Sequence, residues 1–375
     1  MKILHILIDV RSSWGGPVRS VRELVQIQQN QGIEVAVLSV KRDGRTEEFG
    51  AASVFTFPPS FPARFGNSSG AIEWLREHAR SFNLVIVSEV WSVMIQRAML
   101  TLRTLGVPYI IQPRGSLDPY DLRKKAFLKQ ILGRLVVRKN LEAARCILTA
   151  SSAENDRLQT FGGKVTRKTL PHPVRANPVG DGSRLRDKLG LPKETLLFLF
   201  LSRIDPKKRV DLLIEAFHRA AGQLPPCKLL IAGDGHAPLL LQLKEQAKAL
   251  SCAENILFLG FQGGKDKDDL LAAADIFVLP SDFENFGIAV VEALHAGLPV
   301  VLSRGVQLWQ GIEAAGAGLV FPEKVEELAE ILILVGNDPH LRETLSNAAL
   351  TYAAGFSPEA LTPEYMAFWS SAATS

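Results

Sequence analysis

Residues 280–301 decide the fold of this chain, and they read PSDFENFGIAVVEALHAGLPVV. A short apolar strand ends at Pro280, a polar loop carries Glu284 and Gly287, and a helical pattern begins near Ile288. A second apolar strand follows directly. A strand, a glycine-bearing loop, a helix and another strand are typical of a parallel βαβ unit.

The same alternation of apolar strands and helical patterns runs along most of the chain. Strands are predicted at Lys2–Ile8, Glu34–Val40, Leu84–Val87, Tyr109–Gln112, Cys146–Ala150, Leu196–Leu201, Cys227–Ala232, Ile256–Leu259, Ile276–Pro280 and Pro299–Ser303. Helices are predicted at Val18–Gln31, Arg209–Ala221, Pro238–Leu250, Lys267–Ala274 and Ala289–Ala296. We therefore predict an α/β protein with two doubly wound parallel sheets.

The two halves of the chain differ in charge. Residues 1–175 carry 26 Lys and Arg against 14 Asp and Glu, a net charge of +12, whereas residues 176–375 carry 17 against 25, a net charge of −8. A Pro- and Gly-rich stretch over residues 170–182 coincides with this change of sign and predicts a hinge. We expect an N-terminal domain over 1–175, a C-terminal domain over 176–354 and a helical tail over 355–375.

Composition excludes several classes of protein. With 47% hydrophobic and 22% charged residues, the chain is neither disordered, collagenous nor a coiled coil. No apolar run approaches the roughly 20 residues that span a bilayer, and the apolar start is too short for a secretory signal. The three cysteines, Cys146, Cys227 and Cys252, are far apart and lack metal-ligand spacing. We expect a reduced, cytoplasmic protein.

Two carboxylates bracket the turn in the opening stretch. Gly287 lets backbone amides approach a ligand, and the helix N-terminus that follows offers N–H groups and a positive dipole end to a phosphate. Glu284 and Glu292 at this spacing can each accept hydrogen bonds from the hydroxyls of a polyol. Taken alone, the pair also fits a solvated loop acid and a surface helix acid.

This stretch closely resembles the carboxylate-pair motif of glycosyltransferase family 4, the glycosyl transferases group 1, a retaining family that uses nucleotide sugars. Further matching segments are Trp14–Val18, Leu201–Phe217, Leu229–Gly235 and Leu257–Phe261. The resemblance covers nearly the whole chain. It implies the GT-B fold, in which two Rossmann-like domains face each other across a cleft and a terminal helix returns to the first domain.

The resemblance also implies a donor site. Arg203 and Lys208 would hold the diphosphate and stabilise the charge of the leaving nucleotide, while Glu292 takes ribose hydroxyls. Glu284 would hold the donor sugar and is predicted to be catalytic together with those two cations. The other implied donor-binding residues are Gly15, Gly16, Gly233, Phe261, Asn285, Phe286, Gly287 and Ile288. From the residues alone, Arg203 and Lys208 also fit exposed cations of a basic turn.

The prediction of an acceptor site is based on residues 112–120, QPRGSLDPY. They resemble a segment found in a polysaccharide-building branch of the family. Many relatives have a His near Arg114, and that branch tends to have one at Ser88; this chain has neither. Arg114 fits either an acceptor phosphate or a salt bridge to Asp118, and Trp91 fits either a sugar platform or packing. We predict Arg114 and Trp91 as acceptor-binding residues.

An Asp-x-Asp pattern at Asp266–Asp268 would chelate a metal in other transferase folds. Here it follows two glycines and precedes a helix, so we interpret these acids as cap and first-turn residues. The resemblance implies an enzyme without metal or other cofactor, in which Arg203 and Lys208 take the place of magnesium.

A basic segment, Leu122–Arg145, holds eight Lys and Arg against one acid, with apolar residues at helical spacing. It fits a helix on an anionic membrane surface and equally a core-facing helix with a solvated basic face. No aromatic interleaving accompanies the charge, so we do not expect nucleic acid as a partner.

We therefore expect a retaining hexosyltransferase that moves a hexose from a nucleotide sugar, UDP-glucose or similar, to a saccharide or lipid-linked acceptor. Its place would be polysaccharide synthesis at the inner face of the cell membrane. A nucleotide-sugar epimerase on the same fold and a non-catalytic nucleotide-sugar-binding protein stay open as alternatives. Few histidines in the first half weigh against the epimerase, and Glu284 with the Arg203–Lys208 pair weighs against the binding protein.

Overall fold

The computed structural model describes residues 1–11, 14–41, 43–44, 46–117, 137–161, 165–176 and 180–374. The chain forms two compact units: Met1–Pro173 together with Pro358–Ser375, and Val174–Ser357. The sequence places these boundaries at residues 175 and 354. Each unit has its own parallel sheet.

The described part of the first unit contains one sheet of seven parallel strands. These are β1 (Lys2–Ile6), β2 (Glu34–Val40), β3 (Ser53–Phe57), β4 (Leu84–Ser88), β5 (Tyr109–Gln112), β6 (Cys146–Thr149) and β7 (Arg167–Thr169). Their order is β3-β2-β1-β4-β5-β6-β7, so the direction of winding reverses between β1 and β4. The helices are α1 (Gly16–Asn30), α2 (Ser69–His78), α3 (Val93–Leu105), α4 (Arg138–Glu142) and α5 (Ser152–Phe161).

The described residues of the second unit form six parallel strands, β8 (Leu196–Leu201), β9 (Cys227–Ala232), β10 (Ile256–Gly260), β11 (Ile276–Leu279), β12 (Val300–Ser303) and β13 (Gly318–Phe321). Their order is β10-β9-β8-β11-β12-β13, and here the winding reverses between β8 and β11. Its helices are α6 (Gly182–Leu189), α7 (Val210–Ala221), α8 (Ala237–Lys248), α9 (Lys265–Ala273), α10 (Ile288–His295), α11 (Trp309–Ala314), α12 (Val325–Asn337) and α13 (Pro339–Ala353). This doubly wound arrangement agrees with the predicted α/β class.

The last helix, α14 (Pro358–Thr374), belongs to the first unit. Tyr365 and Trp369 are fully buried in the same apolar cluster as Ile3 and Leu84 of the central strands. The Tyr365 hydroxyl donates a hydrogen bond of 3.0 Å to the carbonyl of Pro171. Residues far apart in sequence therefore complete one core.

Three strands escape the sequence analysis: β3, β7 and β13. Each lies at an edge of its sheet; β3 and β7 have no buried residue, and β13 is buried only at its two end residues. Edge strands lack the continuous apolar run that both-sided burial produces in central parallel strands, so their pattern is weak.

The basic segment predicted over Leu122–Arg145 falls mostly outside the described residues. Its described end contains α4, and an ion pair of 2.7 Å joins Arg138 to Glu142 there. Among the helices that the structure describes, none is long and apolar enough to cross a membrane.

Candidate active site

The loops after β8 and β11 are joined at the carboxyl edge of the second sheet. The carbonyl of Lys207 accepts hydrogen bonds from the Asp282 N–H at 2.8 Å and from the Ser281 hydroxyl at 3.0 Å. Arg209 adds an ion pair of 3.1 Å to Asp282. Because β8 and β11 flank the point where the winding reverses, this edge is where doubly wound sheets bind ligands.

An ion pair between Lys208 and Glu284 lies at the centre of this edge. A single 3₁₀ turn, Pro206–Lys208, buries Lys208 to 5% exposure, and its Nζ contacts the Glu284 carboxylate. Burial alone would raise the pKa of Glu284, but the charges of Lys208 and Lys207 lower that pKa below its ordinary value. Glu284 is therefore ionised at neutral pH.

The end of β12 fixes the backbone of Glu284. The Glu284 N–H donates to the carbonyl of Gly305 at 2.9 Å, and its own carbonyl accepts from the Gln307 N–H at 3.0 Å. A Cβ on Gly305 would lie 2.1 Å from the carbonyl oxygen of Ser281, so only glycine permits this approach. Three neighbouring strand ends thus hold one carboxylate in place.

Glu292 lies in α10, and its side chain is buried, not on the surface. The Lys267 Nζ of α9 contacts its Oε1 at 2.6 Å, and each of the two residues is only 6% exposed. The sequence analysis missed Lys267. The sequence does contain an indication of its burial: helical spacing places Lys267 on the same face as Leu270 and Leu271. The aliphatic part of a lysine on such an apolar face is expected to point towards the core.

The acids around Lys267 have local roles. Asp266 and Asp268 are first-turn residues of α9, as predicted, but the N-cap is Gly264, so the predicted cap by an acid is wrong. Asp269 is buried; it accepts from the Asp181 N–H at 2.7 Å and pairs with an arginine of α6. In the described ranges no three His, Cys, Asp or Glu side chains group as a metal site.

The other predicted donor residues lie at the ends of three successive strands. Arg203 follows β8, is exposed, and makes no ion pair with any residue that the structure describes. Gly233 follows β9, and a Cβ there would lie 1.8 Å from the carbonyl oxygen of Ser202. Phe261 follows β10 with 57% of its surface exposed.

The residues between Glu284 and α10 form the entry to that helix. Gly287 is its N-cap, with φ +82°, and offers no side-chain cap to the first N–H groups. Phe286 is buried against Phe356, with ring centroids 5.8 Å apart. Asn285 precedes it, and Ile288 is the first residue of the helix.

The predicted residues of the first unit occupy its own carboxyl edge. Gly15 is the N-cap of α1, with φ +79° and no side-chain cap, and Gly16 is the first helical residue. Trp91 packs against the apolar core and donates from Nε1 to the Ser116 carbonyl at 2.5 Å, which favours the packing interpretation. Arg114 donates three hydrogen bonds to neutral side chains, and Asp118 lies outside the described residues.

Two family models match the chain, one in each unit. Residues 15–172 match the glycosyl transferase 4-like domain, and residues 181–351 match the glycosyl transferases group 1. The chain belongs to the group 1 glycosyltransferase family.

Curated relatives of this glycosyltransferase-family chain match it over part of their length. The D-inositol 3-phosphate glycosyltransferase of Saccharomonospora viridis is 31% identical over 60% of this chain and 52% of the relative. The GDP-mannose-dependent monoacylated alpha-(1-6)-phosphatidylinositol monomannoside mannosyltransferase of Corynebacterium glutamicum is 32% identical over 50% and 51%. The chain thus spans about half the length of the curated relatives it matches.

Solved structures match nearly the whole chain. Anabaena Alr3699/HepE in complex with UDP and glucose has a TM-score of 0.80 at 20% identity and covers 99% of this chain and 100% of its own. The sucrose-phosphate synthase of Thermosynechococcus elongatus has a TM-score of 0.81 at 19% identity, covering 99% and 98%. These likenesses confirm the predicted GT-B fold.

The Lys208–Glu284 pair predicts a pH-dependent stability. Lys208→Met leaves a carboxylate in a half-buried loop without its partner, which we expect to cost on the order of 3 kcal/mol in the free energy of unfolding. Because the folded-state pKa of Glu284 is lowered, its charge stabilises the fold above the ordinary carboxyl pKa, and this contribution is lost as pH falls through the folded pKa. Urea unfolding of wild type and variant should show a deficit at neutral pH that shrinks in acid.

The control for this experiment is Lys248→Met, which removes an exposed lysine paired with Glu245 at 2.7 Å. It should change the free energy of unfolding little at any pH. A Lys208→Met deficit that is absent, or that is equal at neutral and acidic pH, would contradict a stabilising pair.

Proposed function

We propose that the chain is a retaining glycosyltransferase that transfers a hexose from a nucleotide sugar, UDP-glucose or similar, to a saccharide or lipid-linked acceptor. One observation carries this proposal: the Lys208–Glu284 pair lies at the winding reversal of the second sheet, where Arg203 follows the same strand β8. The structurally similar Anabaena HepE, solved in complex with UDP and glucose, supports a UDP-linked hexose as donor.

In this proposal the cations stabilise the leaving nucleotide. Arg203 is exposed and without a carboxylate among the described residues, so its N–H fork is available to a diphosphate. Lys208 adds a point charge whose position is fixed by Glu284. Charges that are already oriented before reaction favour the charge that develops as the nucleotide leaves.

The carboxylates orient the donor. Glu292 is held by Lys267 and would accept hydrogen bonds from ribose hydroxyls. Glu284, together with the backbone from Asn285 to Ile288 at the open N-terminus of α10, would hold the hexose. Gly233 allows the close approach of β8 and β9.

We propose a retaining reaction at this site. The acceptor hydroxyl attacks the anomeric carbon from the side of the leaving phosphate, so the new C–O bond forms on the face where the old one breaks. A donor phosphate oxygen takes the hydroxyl proton. No side-chain base is required, which agrees with the absence of His at positions 88 and 114.

Arg203→Ala tests the donor site. Loss of one charge-assisted contact to the developing charge should lower turnover by about 10²–10³-fold. The assay is hexose transfer from UDP-glucose to a membrane extract, in which transferred sugar, free epimer and binding alone are separate readouts. Arg219→Ala, an exposed arginine of α7, is the control and should keep its rate. Near-normal transfer by Arg203→Ala would contradict the proposal that Arg203 binds the diphosphate.

We also propose that the reaction needs no metal. Asp266 and Asp268 are first-turn residues of α9, and Asp269 is engaged with α6. Transfer measured with EDTA should therefore equal transfer without it. Activity that is lost in EDTA and restored by magnesium or manganese would show that the cations of the protein are not sufficient.

We further propose a peripheral site of action at the cytoplasmic membrane face, through the basic segment Leu122–Arg145. Each Lys or Arg near an anionic leaflet contributes about 1 kcal/mol, and salt screens it. The protein should cosediment with anionic but not neutral vesicles. Replacing Lys124, Lys125 and Lys129 together by Glu should weaken this, whereas Glu at Lys188, Lys193 and Lys248 should not. The proposal would be contradicted if the protein sedimented equally with both vesicle types, or if it sedimented with neither.

A further inference from the structure

Arg114 is held by three neutral side chains in the first unit. Its Nε donates to Ser88 Oγ at 3.2 Å, Nη1 to Ser20 Oγ at 2.8 Å, and Nη2 to Gln112 Oε1 at 2.8 Å. The three acceptor residues are themselves buried, at 1%, 1% and 2% exposure. A guanidinium fixed by three bonds has one orientation, so this group is preorganised.

The position of the guanidinium is set by the topology. Ser88 ends β4, Gln112 ends β5, and Ser20 lies in the second turn of α1, the helix that follows β1. The group therefore lies over the winding reversal between β1 and β4, at the carboxyl edge of the sheet. This is the place where a doubly wound sheet receives a ligand.

The charge of Arg114 has no anionic partner among the residues that the structure describes. Two carboxylates, Glu154 and Glu89, interact with its charge without forming an ion pair. Both oxygens of Glu154 accept hydrogen bonds from backbone N–H groups, those of Gly115 and Ala150, each at 2.8 Å. Glu89 accepts the Trp14 indole N–H at 3.3 Å. Neutral acceptors offset only part of the cost of taking a guanidinium out of water, so the site favours an added anion.

Three further titratable neighbours of Arg114 are uncharged at neutral pH. Burial and the Arg114 charge lower the pKa of His5 to about 4 and place that of His172 well below its ordinary value. Burial raises the pKa of Tyr365 above its ordinary value. Burial lowers the pKa of Arg114 itself to about 10, which leaves it protonated at neutral pH. Apart from the two engaged carboxylates, Glu154 and Glu89, Arg114 therefore lies among neutral groups.

We propose that Arg114 binds an oxyanion, phosphoryl or carboxylate, carried by the acceptor sugar. A guanidinium has five N–H groups, and three are used, so one remains on each Nη. Such a pair suits a two-oxygen anion, which a neutral sugar does not provide. That the bound sugar is the acceptor rests on the proposed function, whereas the anion site rests on the geometry of Arg114.

Calorimetry with three probe sugars tests this, with UDP at saturation so that the donor diphosphate site is filled. The probes are glucose 6-phosphate, glucuronate and methyl glucoside, which separate phosphoryl, carboxylate and neutral ligands. The wild type should bind at least one anionic sugar about tenfold or more tightly than methyl glucoside, since hydrogen bonds to charged groups are the strong ones. Arg114→Gln should remove this preference, and Arg114→Lys, which keeps the charge, should retain part of it.

Arg97→Gln is the matched control, because Arg97 also donates to neutral side chains of the first unit, Asn67 at 2.7 Å and Ser69 at 3.4 Å. It should keep the preference. Equal affinity of the wild type for all three sugars would overturn the proposal, as would an anion preference that survives Arg114→Gln. A preference for anionic sugars that appears only after Asp118→Asn would show that Asp118 is the anionic partner of Arg114. That result would also overturn the proposal.

The two proposals fail separately. Arg114-dependent binding without hexose transfer from any nucleotide sugar would overturn the acceptor assignment and the proposed function, and leave the anion site. Hexose transfer to neutral acceptors at the wild-type rate by Arg114→Gln, with no anion preference in the wild type, would overturn only the Arg114 proposal.

Discussion

The joining of three strand ends around Glu284 is the constraint on which the second unit depends. The carbonyl of Lys207 accepts from the loop after β11, and the loop after β12 holds the Glu284 backbone on both sides. Lys208 and Glu284 meet only because these hydrogen bonds fix the three loops. Desolvating such a pair is costly, and its stabilisation depends on geometry that the surrounding backbone maintains. The glycine at 305 is required for the same reason, since any side chain would push two of these loops apart.

Both units have a polar cluster at the winding reversal of their sheet, but the charges of the two clusters differ. Each has its polar cluster at the carboxyl edge, where the winding of its sheet reverses. In the second unit an ammonium and a carboxylate compensate each other, and the exposed cation Arg203 lies on the same edge. In the first unit Arg114 donates its hydrogen bonds to three neutral side chains. A compensated pair keeps its shape without a ligand, whereas a half-buried cation without an ion pair is stabilised most when a ligand of opposite charge binds.

How far the sequence predicts this structure depends on burial. The central strands are apolar on both faces, and the predicted bounds of Glu34–Val40, Leu196–Leu201 and Cys227–Ala232 are those observed. Three of the four edge strands were missed, whereas the fourth, β10, was predicted from its apolar run Ile256–Leu259. The sequence motifs around Lys208 and Glu284 predict both as site residues through the family resemblance. The contact of Lys267 with Glu292 does not, because it joins two helices through tertiary packing that no local pattern encodes.

The return of α14 to the first unit makes the second unit an insertion within the first. Tyr365 and Trp369 fill the core that β1 and β4 begin, yet they are synthesised after the whole of Val174–Ser357. At ~5–20 residues per second, the ribosome needs on the order of ten seconds or more to make that stretch. When this stretch is complete, the first unit still lacks Tyr365 and Trp369 of its core, whereas the second unit has all the strands described for its sheet. The inserted unit is therefore positioned to fold first, and the unit that leads in sequence finishes last.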